Sequence, residues 1–423
     1  MIKRLFVGLC MILSAVAFSQ ENNASPYSYY GIGDQKFKGT AENRAMGGLG
    51  VQADSIHLNL QNPASYNSLM LTTFTIGASN TGTTFKTSGQ EDKANRTTLD
   101  YLAVALPFNK IGVAFGLMPY TSVGYKIQNS ALDPADGLTR YRQFEGSGGL
   151  NRVFAGAAYN VFKGFSLGAD FQYNFGNVET RSLVGVPELV LQYPTREINA
   201  TNYSGISYNI GLMYNTKITS KLNWFASAAY SPESTLTAKT EREIATISLT
   251  NNNDEIVMNS IDVAVADQEV KLPSKLTLGT GFGQSRKWFA GAEYTFQESN
   301  KLSNRFDDVT NSGFENSYKI AIGGYYIPNY QAFNSYLSRI TYRAGFRYEK
   351  TGLVVGAESI NDMGVSLGVG LPLGAYLNSS NLNVGVEMGR RGTTNAGLVQ
   401  EDYIGLYISL SFTDRWFVKR KFD

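Results

Sequence analysis

The feature that most constrains this chain is a two-residue rhythm sustained longer than a soluble strand needs. Near the C-terminus Ile404, Leu406, Ile408, Leu410 and Phe412 alternate with Tyr403, Gly405, Tyr407, Ser409 and Ser411. Successive side chains of a strand point to opposite faces, so one face is apolar and the other small or polar. The same grammar recurs over 165–176, 206–215, 288–297, 340–349, 365–371 and 381–388. Several runs reach the ~9–11 residues a tilted strand needs to cross a bilayer, whereas soluble strands average about 5–6.

Connections of two kinds separate these runs. Short ones fall at 109–110, 162–164, 217–221, 284–287, 329–338 and 374–380. Long polar ones are expected near 88–96, 128–139, 187–200, 251–260, 300–313, 351–361 and 392–402. Alternating short turns and long loops is the habit of bacterial membrane barrels. The spacing predicts an all-β, antiparallel transmembrane barrel of about 14 strands over residues 70–423, with both ends on the periplasmic side of the outer membrane. Aromatic residues toward the strand ends, including Tyr101, Phe108, Tyr120, Tyr125, Tyr159, Trp224, Tyr230, Trp288, Tyr325, Tyr326, Trp416 and Phe417, are candidates for interfacial girdles.

Composition agrees. Mean hydropathy is −0.18 and charged residues make up 17%. A barrel dilutes its lipid-facing side chains with polar lumen ones, so its average stays near zero. The N-terminus reads as a signal peptide over 1–19, with Lys3 and Arg4 ahead of an apolar stretch from Leu5 to Ala17. Leu9 stands before Cys10 where lipidation wants a small residue. Cleavage removes the single cysteine, and with it any disulfide or thiolate chemistry. Loss of Lys3 and Arg4 lowers the 37 basic residues to 35, equal to the 35 acidic ones, so no charge excess points to nucleic acid.

Residues 20–69 lack the long alternation and are rich in Ser, Asn, Gly and Ala. Backbone without regular pairing is tolerated at membrane depth only inside protein, so this stretch is expected to be a plug, or hatch, within the barrel. Met46-Gly47-Gly48-Leu49-Gly50-Val51-Gln52-Ala53-Asp54, followed by Asn62-Pro63-Ala64-Ser65, resembles the N-terminal region of the FadL/TodX outer-membrane transporters. The stretches Gly389-Arg390-Arg391-Gly392 and Asp414-Arg415-Trp416-Phe417 resemble the tails of FadL-like barrels from Bacteroidetes. The resemblance implies passive uptake of hydrophobic small molecules such as long-chain fatty acids, and it carries over to Gly47, Gly48, Gly50, Asn62, Pro63 and Ala64 as hatch positions. Its PorV branch implies an alternative, a structural barrel docked on an envelope complex such as the type IX secretion translocon. Membrane lipid, lipopolysaccharide and a hydrophobic ligand are the partners expected.

Catalytic chemistry is not expected. The one histidine, His57, lies between Ile56 and Leu58 away from any strand, and a packed or hydrogen-bonded role suits it better than that of a base. A zinc site would lack ligands, and no cofactor is implied. Asp254-Glu255 and Asp307-Asp308 read as solvated loop acids. Gly146-Ser147-Gly148-Gly149 leads into a strand rather than a phosphate-binding helix, and suits a kink. Asp170, Glu293, Arg343, Arg347, Glu349 and Glu387 all fall on the inward face. An Arg facing lipid would cost about 2–4 kcal/mol at midplane, so this phase is the favoured one. The inward charges are expected to form a filling salt-bridge network, or else a constriction or an anchor for the hatch.

Overall fold

The computed structural model describes residues 23–132, 134–186, 193–250, 254–304, 311–332, 334–373, 380–414 and 416. The signal segment, Asp307, Asp308 and Phe417 lie outside them. In chain order the strands are β1 (Asp34–Gln35), β2 (Thr72–Lys86), β3 (Glu91–Phe108), β4 (Ile111–Leu132), β5 (Thr139–Phe162), β6 (Phe165–Gly185), β7 (Thr195–Lys217), β8 (Asn223–Ser231), β9 (Ser234–Leu249) and β10 (Glu255–Ala264). They continue as β11 (Gln268–Leu272), β12 (Lys275–Gln284), β13 (Trp288–Gln297), β14 (Ser312–Phe314), β15 (Ser317–Tyr326), β16 (Thr341–Val355), β17 (Glu358–Pro372), β18 (Asn381–Arg391) and β19 (Gln400–Asp414).

From β2 onward, every pairing is antiparallel, and β19 closes on β2 from Gln400↔Lys86 to Asp414↔Thr72. Three wall strands are interrupted: β8 and β9 form one, β10 to β12 another, β14 and β15 a third. Fourteen wall strands result, in a closed barrel. Two of the breaks fall at Pro232 and Pro273, where the ring removes a ladder donor.

The strand phase follows the alternation. Leu167, Phe171, Ile206, Ile210, Val365, Leu367, Ile404, Leu406 and Ile408 are exposed on the outer surface, where lipid would cover them. Their neighbours Ser166, Asp170, Ser207, Asn209, Ser366, Tyr407 and Ser409 are buried inside. Of the candidate girdle aromatics, Phe108, Tyr159, Tyr230, Tyr326 and Trp416 are exposed, whereas Tyr101 and Tyr125 point into the lumen and are buried.

One expectation needs correcting. Much of what the sequence marks as outer loop is strand. β5 has 24 residues and β7 has 23. At ~3.3 Å per residue these reach well past the ~25 Å apolar band of such barrels. Positions 128–132 belong to β4, 91–96 to β3 and 255–260 to β10, while only Gly356 and Ala357 separate β16 from β17. The reason is solvation. Beyond the membrane both faces of the sheet meet water, so the apolar rhythm disappears although the ladder continues. Cross-strand ion pairs replace it: Lys126–Glu145 at 2.7 Å, Arg181–Glu145 at 3.1 Å and Arg196–Glu255 at 3.0 Å. Glu255 is therefore a strand residue with Arg partners, not a loop acid.

Residues 23–69 run inside the barrel. Leu58, Leu60, Tyr66 and Leu69 pack against Tyr101, Ala103, Ala105, Ala114 and Phe154, toward the end of the barrel that carries the short turn between β3 and β4. Met46, Leu49 and Val51 pack on Phe225 and Phe289. Higher up, Ile32 joins Val123, Leu150 and Tyr203, and Tyr27 joins Leu353, Val355 and Ile360.

Candidate functional site: the inner segment and the cavity above it

Two sequence clusters fix the inner segment to opposite sides of the wall. At the first, a one-turn helix, Ala41–Arg44, leads into Gly47 and Gly48, both with positive φ (71° and 91°), a conformation that favours glycine. The Gly47 N–H donates to Ser366 Oγ at 3.0 Å, and the Gly50 N–H to Glu293 Oε2 at 2.9 Å. At the second cluster Asn62 caps the 3₁₀ helix Pro63–Ser68, accepting from the Ala64 N–H at 3.0 Å. Its Nδ2 donates to the wall carbonyls of Leu212 and Ala228, each at 3.1 Å. Gln61 ties the clusters together by donating to the Gly48 carbonyl at 2.9 Å. All six positions singled out from the sequence thus contact the wall or hold the segment that does.

The wall meets this segment with glycine. A Cβ on Gly345 would lie 2.1 Å from Gly47 N and Met46 C, and one on Gly112 2.1 Å from the Tyr66 carbonyl oxygen. One on Gly211 would lie 2.0 Å from Asn62 Oδ1, and one on Gly168 2.5 Å from Ala64 N. The alternation puts Gly168, Gly211 and Gly345 on the inward face, but it shows neither Gly112 nor the role of all four as the bed on which the inner backbone rests. Only the register, which sets them opposite Met46–Gly47 and Asn62–Ala64, reveals it.

The inward charges fall into one network and three separate sites. Arg347 joins Glu387 at 2.7 Å, Asp362 at 2.9 Å and Glu349 at 3.7 Å, and donates to Tyr403 at 2.6 Å. Arg44 of the inner segment reaches Glu387 at 3.7 Å and Asp100 at 3.3 Å. Arg343 donates to Asn383 at 3.0 Å, which donates to Glu42 at 2.7 Å. Glu293 sits apart under Gly50, and Asp170 accepts from Asn209 at 3.1 Å. His57 bonds Asp54 at 2.6 Å and lies 3.7 Å from Glu42, a buried link within the inner segment rather than a base beside a nucleophile.

The wall is not paired throughout. β3 bonds β4 only from Leu102↔Leu117 to Phe108↔Ile111. Above that point β4 turns, with a bulge between Pro119 and Thr121 and positive φ at Gly148 (104°) and Gly149 (150°) on its neighbour β5. This is the kink that the glycine run suited. The free edge of β4 takes the inner segment instead: β1 pairs as Asp34↔Ser122 and Gln35↔Thr121, and Asn23 Nδ2 donates to the Ser122 carbonyl at 3.2 Å. From the other side, Arg96 Nε donates to the Asn23 carbonyl at 3.2 Å.

Between the upper and lower parts of the inner segment lies a cavity of about 440 Å³. Eight basic side chains line it against five acidic ones: Lys36, Lys38, Arg44, Arg152, Lys275, Lys319, Arg347 and Arg391 against Asp34, Glu293, Glu349, Asp362 and Glu387. Arg44, Arg347 and Arg391 are paired with carboxylates. Burial pushes the Lys38 amine down to about 8, with Asp170 opposing and Arg152 adding to the shift. The lysines drew no attention in the sequence because Lys275 and Lys319 stand near strand ends, where charges are ordinary.

A closed, glycine-bedded barrel with an apolar outer band and an N-terminal segment within has the fold of the FadL-type outer-membrane barrels. Solved structures agree at the level of fold. The toluene transporter TodX of Pseudomonas putida matches with a TM-score of 0.59 at 15% identity, over 91% of this chain and 100% of that one. The toluene transporter TbuX of Ralstonia pickettii matches at 0.59 and 15%, over 89% and 99%. A FadL homologue of Pseudomonas aeruginosa matches at 0.60 and 12%, over 90% and 99%. No curated protein matches the chain. The chain belongs to the BamG family, whose sequence pattern matches residues 1–423.

Proposed function

We propose that this barrel is a passive outer-membrane conduit for small hydrophobic or amphipathic molecules, long-chain fatty acids among them, with residues 23–69 as its plug. The wall gap between β3 and β4 carries the reading: there the barrel is sealed by the inner segment rather than by its own ladder. A ligand entering from the outer side would rest in the cavity and leave sideways if residues 23–36 moved from the β4 edge. The transport named for TodX and TbuX supports the hydrophobic class. The test is uptake of a radiolabelled fatty acid by liposomes holding the purified barrel; rates equal to those of empty liposomes would refute it.

A second reading, a barrel docked on an envelope complex such as the type IX secretion translocon, is favoured by one other observation. β10 and β11 bond only β9, so their far edge is free among the described residues, and Ile256, Val257, Met258 and Ile261 on β10 are exposed. A long, apolar free edge is a template for pairing with another chain. Gentle extraction and native mass spectrometry separate the readings: a lone monomer speaks against docking.

A further inference from the structure

On the lipid-facing side of the barrel, register lays charged and apolar residues in adjoining rows. Arg390, Asp402, Thr84 and Lys93 stand directly across from one another on β18, β19, β2 and β3. One step toward the midplane, about 6–7 Å along the strands, the row reads Phe346, Val365, Met388, Ile404 and Gly82. Parity turns both rows outward, since Tyr403 and Tyr407 of β19 point into the lumen, and the four apolar side chains are exposed. Together the rows shape an open groove of about 870 Å³. That falls in the ~300–1,000 Å³ range of small-molecule clefts. Gly82 forms its floor: a Cβ there would meet nothing nearer than the Ile404 carbonyl oxygen at 4.0 Å.

The charges bordering this groove differ from those elsewhere on the rim. Asp402 accepts from Lys86 at 2.8 Å and from Arg390 Nε at 2.7 Å, so one carboxylate holds two cations side by side. Lys93 lies 3.8 Å from Glu91 and its side chain is 75% exposed. Three cations therefore face two carboxylates here. Lys126, Arg181 and Arg196 meet Glu145, Glu243 and Glu255, three against three. Among the described residues Arg390 bonds only through Nε, which leaves its two terminal nitrogens for the forked grip that guanidinium gives phosphate.

Cations at the border of an apolar band meet lipid headgroups, while the band meets acyl chains. This border lies at the end of the barrel away from the two-residue turns 109–110 and 163–164, the end that faces outward in such barrels. A protein strand finds no backbone to pair with, because β17, β18, β19 and β2 are bonded on both edges. A zwitterionic lipid would bring its own cation against the excess.

We propose that this groove is a specific site for the phosphorylated glycolipid of the outer leaflet, lipopolysaccharide. A lipid A phosphate rests on Lys86, Lys93 and Arg390, and an acyl chain runs along Val365, Met388 and Ile404 over Gly82. The site lies outside the barrel and does not depend on what the lumen carries.

The test is native mass spectrometry of the full processed barrel, released from micelles holding bisphosphorylated lipid A, its dephosphorylated form, phosphatidylglycerol or phosphatidylethanolamine. Bisphosphorylated lipid A should bind as one copy, at least tenfold more tightly than the dephosphorylated form or phosphatidylethanolamine. Lys93→Gln/Arg390→Gln leaves Asp402 its Lys86 and should weaken lipid A several-fold. Gly82→Phe fills the floor with every charge in place and should do the same. Lys126→Gln, a paired rim cation away from the groove, should change nothing. If the double variant does not fold, Lys93→Gln alone should still weaken lipid A measurably. Equal binding with and without the phosphates, unchanged binding in the groove variants, or an equal loss in Lys126→Gln would each overturn the proposal. Phosphatidylglycerol held as tightly as lipid A would overturn it too, since the groove would then select charge and not glycolipid.

Discussion

Replacing Gly345 by alanine should release the inner segment while leaving the barrel intact. The added Cβ would stand 2.1 Å from Gly47 N and Met46 C, whereas real Cβ contacts essentially never fall below 3.0 Å. The inner backbone must therefore withdraw by about 0.9 Å, because the other side is wall ladder on β15 and β17. Overpacking of this kind costs ~1–3 kcal/mol. Withdrawal also stretches the Gly47 N–H bond to Ser366 from 3.0 Å to beyond useful range, worth ~1 kcal/mol net. A total of ~2–4 kcal/mol corresponds to roughly thirty- to several-hundred-fold in the opening equilibrium. Hydrogen exchange measures this directly: amides of residues 43–51 should lose that much protection, and those of 404–410 in β19 should not change. Gly82→Ala is the control, since its nearest neighbour is the Ile404 carbonyl oxygen at 4.0 Å. If the two alanine variants exchange alike, the glycines are not a bed for the inner segment and the reasoning is wrong.

Other consequences are equally direct. Asn62→Ala removes the helix cap and two bonds to wall carbonyls, so the inner segment should lose ~2–3 kcal/mol, read as faster proteolysis of residues 50–69 in folded barrel. Arg347→Ala leaves Glu387 with Arg44 at 3.7 Å and Asp362 with the Tyr403 hydroxyl at 2.8 Å, and should destabilise the barrel by ~3 kcal/mol, lowering its guanidinium unfolding midpoint, with partial recovery in Arg347→Lys. A cysteine pair at Asn23 and Arg96, joined across the wall gap by a reducible bis-maleimide that replaces the length of the Arg96 side chain, should stop uptake and restore it on reduction. The processed chain holds no other cysteine on the expected cleavage before Gln20, so undiminished uptake by the cross-linked barrel would remove the gap from the route.

How the two levels divide is plain from particular residues. The alternation of Ile404, Leu406 and Ile408 with Tyr407, Ser409 and Ser411 determined the wall, its phase and its closure, because a strand's faces are set by parity alone and lipid admits only a closed sheet. The same parity put Asp170, Arg343 and Glu387 inside. It also made the glycines of Gly47-Gly48-Leu49-Gly50 and the Asn62-Pro63-Ala64 turn stand out against the strands. The outer ends of the strands were illegible, since a sheet wet on both faces has no apolar period, and Lys126 opposite Glu145 looks like loop until the ladder aligns them. What only the tertiary structure decided is juxtaposition: Gly345 under Gly47, Gly211 under Asn62, and the β4 edge beside Asp34. It also brought together lysines from positions 38, 275 and 319. Local preference acts over a few residues, whereas these contacts join segments up to about three hundred residues apart, and only barrel closure and register bring them together.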